Sequence, residues 1–331
     1  MPKKIDLVYL WVDGNDRKWK KEKDRWLNKI KSEKEIYHDA AVAARWHDND
    51  ELRYSLRSAE KFVPWINHIF IITGFGHVPK WLDISNPKIT IIPHEAIMPA
   101  DSLPTFNSNA IEMCLMNIPN LSEYFLLAND DTFFGRPLPP DFFYDKKGRG
   151  IIWYTNNHKI KRNFGLWLEK LDGYGQTLAL SAKLIRDIFG KNYKKLRPAH
   201  NIDPYIKSSI MQVRSHPMIV QQIDNQIRNK FRTNYELQRW IFSLYDHVHN
   251  KNVFRRARNF KKQKHFVYNF IHRKACENSP IYCLDAKESR LAEIIPPLFC
   301  INETEETTSQ TKKNNLEFLK SYFPNKSAME L

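Results

Sequence analysis

The sequence contains few cysteines and lacks a long apolar run. Its four cysteines among 331 residues include no C-x-x-C pair, which excludes a disulfide-stapled scaffold and argues against structural zinc. No apolar stretch reaches the roughly 18 residues that a membrane-spanning helix needs. Residues 5–12 are apolar, but they include Asp6 and precede no small-residue cleavage pattern, so they predict a buried strand rather than a signal peptide. We therefore expect a reducing, cytoplasmic location.

Glycine is also sparse, with 10 residues against 18 prolines, and the sequence has no repeat or biased tract. This composition excludes fibrous and low-complexity proteins. The apolar share of 42% and the charged share of 27% are those of an ordinary globular protein. At about 150 residues per domain, the length predicts a pair of domains or one large domain with an elaboration.

Acidic residues are scarce relative to basic ones, 37 against 52, and the resulting net charge of +15 is uneven along the chain. Residues 151–270 hold 23 basic and 7 acidic side chains, whereas the other 211 residues hold 29 and 30. Such a cationic segment suits nucleic acid, an anionic membrane face or a polyanionic substrate. A solvated surface that serves only solubility is a further interpretation, and the charge alone does not choose among them.

The first 150 residues alternate between strand-like and helix-like patterns. Residues 48–51 (DNDE) predict a helix start, because Asp and Asn side chains cap free backbone N–H groups. Apolar strands separated by helices predict an α/β fold with a mostly parallel sheet flanked by helices. The predicted strands are residues 5–12, 66–73, 88–92 and 124–128, and the predicted helices are residues 16–34, 48–62 and 109–117.

Beyond residue 150 the pattern becomes more helical and less regular. We therefore expect an α/β core over residues 1–150 and a basic, mainly helical lobe over residues 151–331, with no linker to mark the boundary. The better helix candidates in this second part are residues 176–189, 204–213, 234–249 and 316–323.

Two acidic motifs follow predicted strands at the edge of the sheet where such folds bind ligands. Asp13 and Gly14 come after the first strand, and Asn129, Asp130 and Asp131 come after the fourth. Adjacent carboxylates are costly to bury unpaired, and a divalent cation that also binds a diphosphate relieves that cost. The motifs predict a Mg²⁺ (or Mn²⁺) site, with a plain turn or helix cap as the alternative.

The longest motifs resemble those of the Stealth family, which includes bacterial capsular polysaccharide phosphotransferases and the animal N-acetylglucosamine-1-phosphotransferase. The resemblance rests on residues 45–58 (RWHDNDELRYSLRS) and 64–73 (PWINHIFIIT), together with residues 5–14 (IDLVYLWVDG) and the turn at 129–131. Further blocks follow in the family order at residues 103–112, 198–203, 230–238 and 282–285. The last block departs from the family, since Leu284, Asp285 and Ala286 stand where Leu-Asn-Asp is expected.

The resemblance implies an enzyme that transfers a sugar 1-phosphate rather than a sugar. Hexose 1-phosphate, with N-acetylhexosamine 1-phosphate as the expected group, moves from a UDP-sugar donor to a hydroxyl of a glycan acceptor. The reaction releases UMP and forms a phosphodiester during capsule or cell-surface polysaccharide synthesis. The implied fold is a nucleotide-sugar-binding α/β fold of the GT-A or Rossmann-like type. In this reading the core binds the nucleotide sugar and the metal, and the basic lobe completes the active site and binds the anionic acceptor.

The resemblance also implies roles for particular residues. Asp130 and Asp131 hold Mg²⁺ or Mn²⁺, and His200 is the candidate base because an imidazole titrates near the working pH. Asp131 competes with His200 for the role of base. The remaining candidates are Arg232 and Arg53 for phosphate oxygens, Asn129 for a phosphate or sugar hydroxyl, Asp13 and Asn15 for the nucleotide or sugar, and Asn109 and Asp285 for further substrate contacts.

Several alternatives stay open at this point. Arg53 and Arg57 lie four residues apart near Glu60, so surface ion pairing competes with phosphate binding. The basic lobe also suits the inner face of the plasma membrane or a capsule assembly machinery. A metal-dependent glycosyltransferase that releases UDP is the second function. A nucleic-acid-binding protein using residues 255–264 is the third, although no known nucleic-acid-binding motif is visible and the acidic motifs argue against it.

Overall fold

The computed structural model describes residues 4–31, 46, 48–156, 171, 173–199, 201–233, 235–257, 281–285, 295–302 and 307–331. Its strands are β1 (Ile5–Leu10), β2 (Ile69–Thr73), β3 (Ile89–Pro93), β4 (Tyr124–Asn129), β5 (Thr132–Phe134), β6 (Gly150–Asn156), β7 (Leu196–Pro198), β8 (Asp203–Ile206), β9 (Asn252–Arg256), β10 (Ile281–Asp285) and β11 (Leu298–Asn302). Its helices are α1 (Arg17–Lys31), α2 (Glu51–Phe62), α3 (Ser108–Glu112), α4 (Gly173–Phe189), α5 (Lys207–Ser215), α6 (Pro217–Gln226), α7 (Trp240–Val248) and α8 (Ser309–Tyr322).

The main sheet has the strand order β3-β2-β1-β4-β8, in which the first four strands are parallel and β8 is antiparallel. Alternate residues of its strands enter separate cores on its two faces. Leu7 and Tyr9 pack in one core, whereas Val8 packs in the other. Because both faces are covered, the parallel strands are largely apolar, which is why they are recognisable in the sequence. The predicted mostly parallel sheet with flanking helices is confirmed.

The helix predicted at residues 204–213 is wrong at its start. Residues 203–206 form the edge strand β8, in which Pro204 lies opposite Leu126, and α5 begins only at Lys207. An edge strand tolerates proline because one side of its backbone needs no partner. The predicted helix at 109–117 is also divided, into the short α3 and a 3₁₀ turn at Leu115–Asn117.

Two smaller sheets complete the described structure, with the orders β10-β11-β5 and β7-β6-β9. The first joins a strand at residues 132–134 to strands near residue 300, and the main sheet takes β8 from residues 203–206. The division into units at residue 150 stays a prediction. No helix within the described ranges is long and apolar enough to cross a membrane.

Candidate active site

The two acidic motifs lie at the same edge of the main sheet. β1 and β4 are parallel neighbours, and Leu10 of β1 pairs with Asn129 of β4, so the residues that follow both strands are brought together. In the loop after β1, the carboxylate of Asp13 accepts a hydrogen bond from the Asn15 amide at 2.8 Å. Gly14 is required there, because a Cβ at this position would lie 1.4 Å from the carbonyl oxygen of Trp46.

The turn that carries Asp130 and Asp131 is fixed by β11 and by its own side chains. The amide of Ile301 donates to the carbonyl of Asp131 at 3.0 Å, and the thiol of Cys300 donates to Asp131 Oδ2 at 3.3 Å. The Asp131 amide donates to Asp130 Oδ1 at 3.1 Å. Asp131 Oδ1 is buried and has no hydrogen-bond partner among the described residues. These contacts fix the turn and leave one carboxylate oxygen without a partner in the described part of the chain.

The surroundings of this turn make its carboxylates costly to ionise. Burial raises the pKa of Asp130 well above its usual value, and the charges of Asp131, Glu51 and Asp48 raise it further. Burial also raises the pKa of Asp131, to about 6, although the Cys300 hydrogen bond and the positive charge of Arg239 oppose the shift. A bound cation would remove this cost, because it stabilises both carboxylates in their charged form.

Asp48 and Glu51 are acidic neighbours of the turn that the sequence interpretation treated only as helix caps. The predicted helix start is confirmed, because α2 begins at Glu51, but no side chain caps it. Asp48 Oδ2 accepts the Trp11 Nε1 hydrogen at 3.1 Å, and the Glu51 carboxylate accepts both the amide and the Nδ2 hydrogens of Asn49. Burial raises the pKa of Glu51 to about 7 and also raises the pKa of Asp48. Three acids in four residues exceed what a cap needs, and that excess was the available signal.

These residues suit a Mg²⁺ or Mn²⁺ ion only in company with substrate oxygens. Within the described ranges, no group of three or more His, Cys, Asp or Glu side chains is placed to hold a metal ion. Mg²⁺ commonly binds one or two carboxylates and completes its shell with phosphate oxygens and water. The unsatisfied oxygen of Asp131 and the raised pKa values of both aspartates fit that arrangement.

Arg239 is a buried cation beside the turn that the sequence interpretation missed. Its Nη1 donates to Asn129 Oδ1 at 3.3 Å and to Glu112 Oε1 at 3.2 Å. Both charged side chains are less than a tenth exposed, and Glu112 Oε2 has no hydrogen-bond partner among the described residues. Arg239 thus links the first residue of the acidic turn to α3. It lies one residue beyond the 230–238 block, which was the only hint in the sequence.

Asn109 and Arg232 lie together at α3, where both already have protein partners. Asn109 is buried, and its Nδ2 donates to Glu236 Oε2 at 3.2 Å. Arg232 is half-buried, and its Nη2 donates to the hydroxyl of Ser108. Their hydrogen bonds hold residues 230–238 against α3. Their contacts with substrate stay predictions.

Arg53 and Arg57 both bind Glu330, at the C-terminal end of the chain, rather than Glu60. Arg53 Nε donates to Glu330 Oε2 at 2.6 Å, and Arg57 donates through Nε and Nη2 at 2.6 and 2.8 Å. Glu60 instead accepts the Ala328 amide at 3.0 Å. Ion pairing therefore accounts for the charge of Arg53, and its assignment to phosphate stays a prediction.

Two candidates lie beyond what the structure describes in full. His200 is outside the described residues, and so its role as base stays a prediction. Asp285 is described only as part of the backbone of β10, where it pairs with Asn302 of β11. β10 is therefore next to β11, the strand whose Cys300 and Ile301 bind Asp131 in the acidic turn.

The fold and the site define an α/β protein with a carboxylate pair at the carboxyl edge of a mostly parallel sheet. Models of two Stealth regions match the chain, "Stealth protein CR1, conserved region 1" over residues 3–31 and "Stealth protein CR2, conserved region 2" over residues 45–151. A capsular polysaccharide phosphotransferase of Haemophilus influenzae is 30% identical over 334 residues, covering 97% of this chain and 84% of that one. The chain belongs to the Stealth family.

Other similar proteins carry related names. A capsular polysaccharide phosphotransferase of Streptococcus pneumoniae is 28% identical over 357 residues and is covered completely, as is this chain. A capsular polysaccharide phosphotransferase of Neisseria meningitidis serogroup B is 36% identical over 242 residues. The match covers 72% of this chain and 63% of that relative. Among solved structures, the galactosyltransferase LgtC with donor and acceptor sugar analogues has a TM-score of 0.41 at 11% identity, covering 96% of both chains.

Proposed function

We propose that this protein transfers a sugar 1-phosphate from a UDP-sugar to a hydroxyl of a glycan acceptor in capsule synthesis. The transferred group would be N-acetylhexosamine 1-phosphate. The observation that carries the proposal is the Asp130–Asp131 turn, with its unsatisfied buried oxygen, at the carboxyl edge of the sheet of a Stealth protein. The names of the full-length relatives support the same reaction class. A cytoplasmic location is part of this proposal.

In the proposed reaction, the acceptor oxygen forms a bond to the β-phosphorus of the donor. The bond between that phosphorus and the oxygen bridging to the α-phosphate breaks, and UMP leaves with the bridging oxygen. The acceptor proton passes to a base, for which His200 and Asp131 are the alternatives. The sugar keeps its bond to the anomeric oxygen, which distinguishes this reaction from glycosyl transfer.

Asp130 and Asp131 would hold Mg²⁺ or Mn²⁺, which supplies Lewis-acid stabilisation of the diphosphate charge when bound. Asp13 and Asn15 lie after the neighbouring strand β1, and in this proposal they would contact the nucleotide or sugar. Arg239 fixes the carboxamide of Asn129 in the turn, so that this side chain is oriented before substrate binds. The chain therefore contributes binding and orientation, as phosphoryl transfer mainly requires.

The released nucleotide tests the proposal. The purified chain is incubated with Mg²⁺, UDP-N-acetylglucosamine and an oligosaccharide-phosphate acceptor, and the nucleotide is identified by chromatography. We expect UMP that depends on metal and acceptor and that disappears in Asp131→Asn. The exposed Asp141→Asn is the matched control, because it removes the same charge from a 3₁₀ turn elsewhere. Release of UDP would contradict phosphotransfer and establish a glycosyltransferase.

A further inference from the structure

The outer face of α1 is a cationic surface beside the candidate site. The helix contains 8 basic and 2 acidic residues in its 15. Lys18, Lys20, Lys21 and Arg25 are exposed on its outer side, and the three lysines form no ion pair with any described residue. Arg25 shares its charge with Glu22 at 3.4 Å. The surface therefore has a net positive charge that no described residue neutralises.

The position of α1 connects this surface with the acidic edge of the sheet. The helix follows the Asp13 loop directly, and Asp16 Oδ1 accepts the Trp19 amide at 2.7 Å in its first turn. At its other side, Trp19 packs against Phe106, which stacks on Phe231 at 5.1 Å between ring centroids. Phe231 precedes Arg232, the predicted phosphate-binding residue. The cationic surface therefore begins, at Lys18, five residues after Asp13 of the candidate site.

We propose that the outer face of α1 binds the phosphodiester backbone of the glycan acceptor. This inference rests on the proposed function, because a chain built by sugar 1-phosphate transfer carries a negative charge at each linkage. Lys18, Lys21 and Arg25 follow one another at about one helical turn, so they form a stripe with a rise of roughly 5 Å per step. A stripe of separated cations matches a polyanion with separated phosphates better than it matches a single phosphate.

An anionic membrane surface is the competing partner, and the packing of α1 argues against it. A helix that binds a bilayer inserts its apolar face between the headgroups. Trp19 of α1 is buried, and Trp26 and Ile30 pack with it on Phe106 and Phe231. The apolar side of α1 is therefore occupied by the protein itself, and only the charged side faces outward.

Paired charge reversals test the inference with the full chain. Lys18→Glu/Lys21→Glu changes α1, and Lys313→Glu/Lys320→Glu makes the same change in charge on the exposed side of α8. Binding of a labelled phosphodiester-linked N-acetylhexosamine oligomer is measured by fluorescence anisotropy at several salt concentrations. The α1 variant should bind roughly tenfold more weakly and with a shallower salt dependence, since the local field that concentrates the anion is lost. Lys18→Gln/Lys21→Gln should fall between the wild type and the reversal.

The remaining arms separate this inference from its rivals. In the transfer assay, the α1 reversal should raise the acceptor KM and leave the donor KM unchanged. Equal weakening by the α1 and α8 reversals would overturn the inference, because it would show a general charge effect. The inference would also be overturned if the α1 reversal lost binding to phosphatidylglycerol vesicles but still bound the oligomer, because the partner would then be a membrane. If the wild type releases UDP instead of UMP, the proposed function fails, whereas the anisotropy measurement still reports on α1.

Discussion

The thiol of Cys300 donates a hydrogen bond to Asp131 Oδ2 across 3.3 Å, and it orients one of the two carboxylates of the candidate site. Cys300 is fully buried on β11, and the next residue, Ile301, binds the carbonyl of the same aspartate. A side chain that fixes a metal-binding carboxylate affects activity without contacting substrate. We therefore predict that Cys300 is a positioning residue.

Replacing this thiol should reduce turnover selectively. We expect Cys300→Ala to lower kcat by about tenfold, because a hydrogen bond to a charged group contributes roughly 1.5 kcal/mol. Cys300→Ser retains a donor and should recover most of kcat. Cys114→Ala is the control, since it removes the same atoms from a buried position in another part of the core. Equal losses of kcat in Cys300→Ser and Cys300→Ala would show that packing, not the hydrogen bond, is what matters.

Asp130 should lower the stability of the metal-free protein. Its carboxylate is surrounded by Asp131, Glu51 and Asp48, so its charge opposes folding until a cation binds. We expect Asp130→Asn to raise the free energy of unfolding by roughly 1 kcal/mol without metal, as is common where function requires strain. Mg²⁺ with a nucleotide diphosphate should raise the Tm of the wild type and leave that of Asp130→Asn nearly unchanged. Thermal denaturation measures both effects, with Asp141→Asn as the control. If Mg²⁺ with the nucleotide diphosphate raised the Tm of Asp130→Asn more than that of the wild type, this role for Asp130 would be contradicted.

The parallel sheet was predictable because its parallel strands are largely apolar on both faces. Residues such as Leu7 and Val8 enter different cores, and that burial produces the continuous apolar runs seen in the sequence. The Asp130–Asp131 turn was predictable for a related reason, since it directly follows such a run. Strand order then brings it to Asp13.

The rest of the site was not predictable, because it depends on contacts between distant residues. Cys300 lies 169 positions after Asp131 and contacts it because β11 pairs with β5. No local sequence pattern marks that cysteine. Arg239 reaches Asn129 across 110 positions. β8 was missed because Pro204 reads as a helix start, whereas only its place at the sheet edge makes it a strand residue.

Glu330 should make the protein sensitive to acid. Burial alone would raise the pKa of Glu330. Hydrogen bonds from Arg57, the Ser327 amide and Arg53 outweigh burial and lower this pKa to about 2. A carboxylate with a lowered pKa stabilises the fold above the pKa of the unfolded chain, near 4.5, and this contribution is lost as the pH falls towards 2. We expect Glu330→Gln to cost roughly 2 kcal/mol at pH 7 and much less near pH 2.5.

Urea denaturation at both pH values measures the contribution of Glu330. The control is Glu317→Gln, since Glu317 pairs among the described residues only with the exposed Lys313, at 4.0 Å, and its loss should change stability little. A loss in Glu330→Gln that is the same at pH 7 and near pH 2.5 would show that its charge is not what stabilises this contact. Arg57→Gln should reproduce the pH dependence, because it removes the same ion pair.

Arg239 and Glu112 should be coupled in stability but not in activity. Arg239→Gln leaves Glu112 buried without its positive partner, so we expect a loss of roughly 3 kcal/mol. The double variant Arg239→Gln/Glu112→Gln removes both charges and should recover most of that stability. Its kcat should stay low, because Asn129 still lacks the guanidinium that fixes its side chain. Urea denaturation and transfer assays of the two single variants and the double variant form the complete cycle. Recovery of kcat together with stability would mean that Arg239 serves the fold alone.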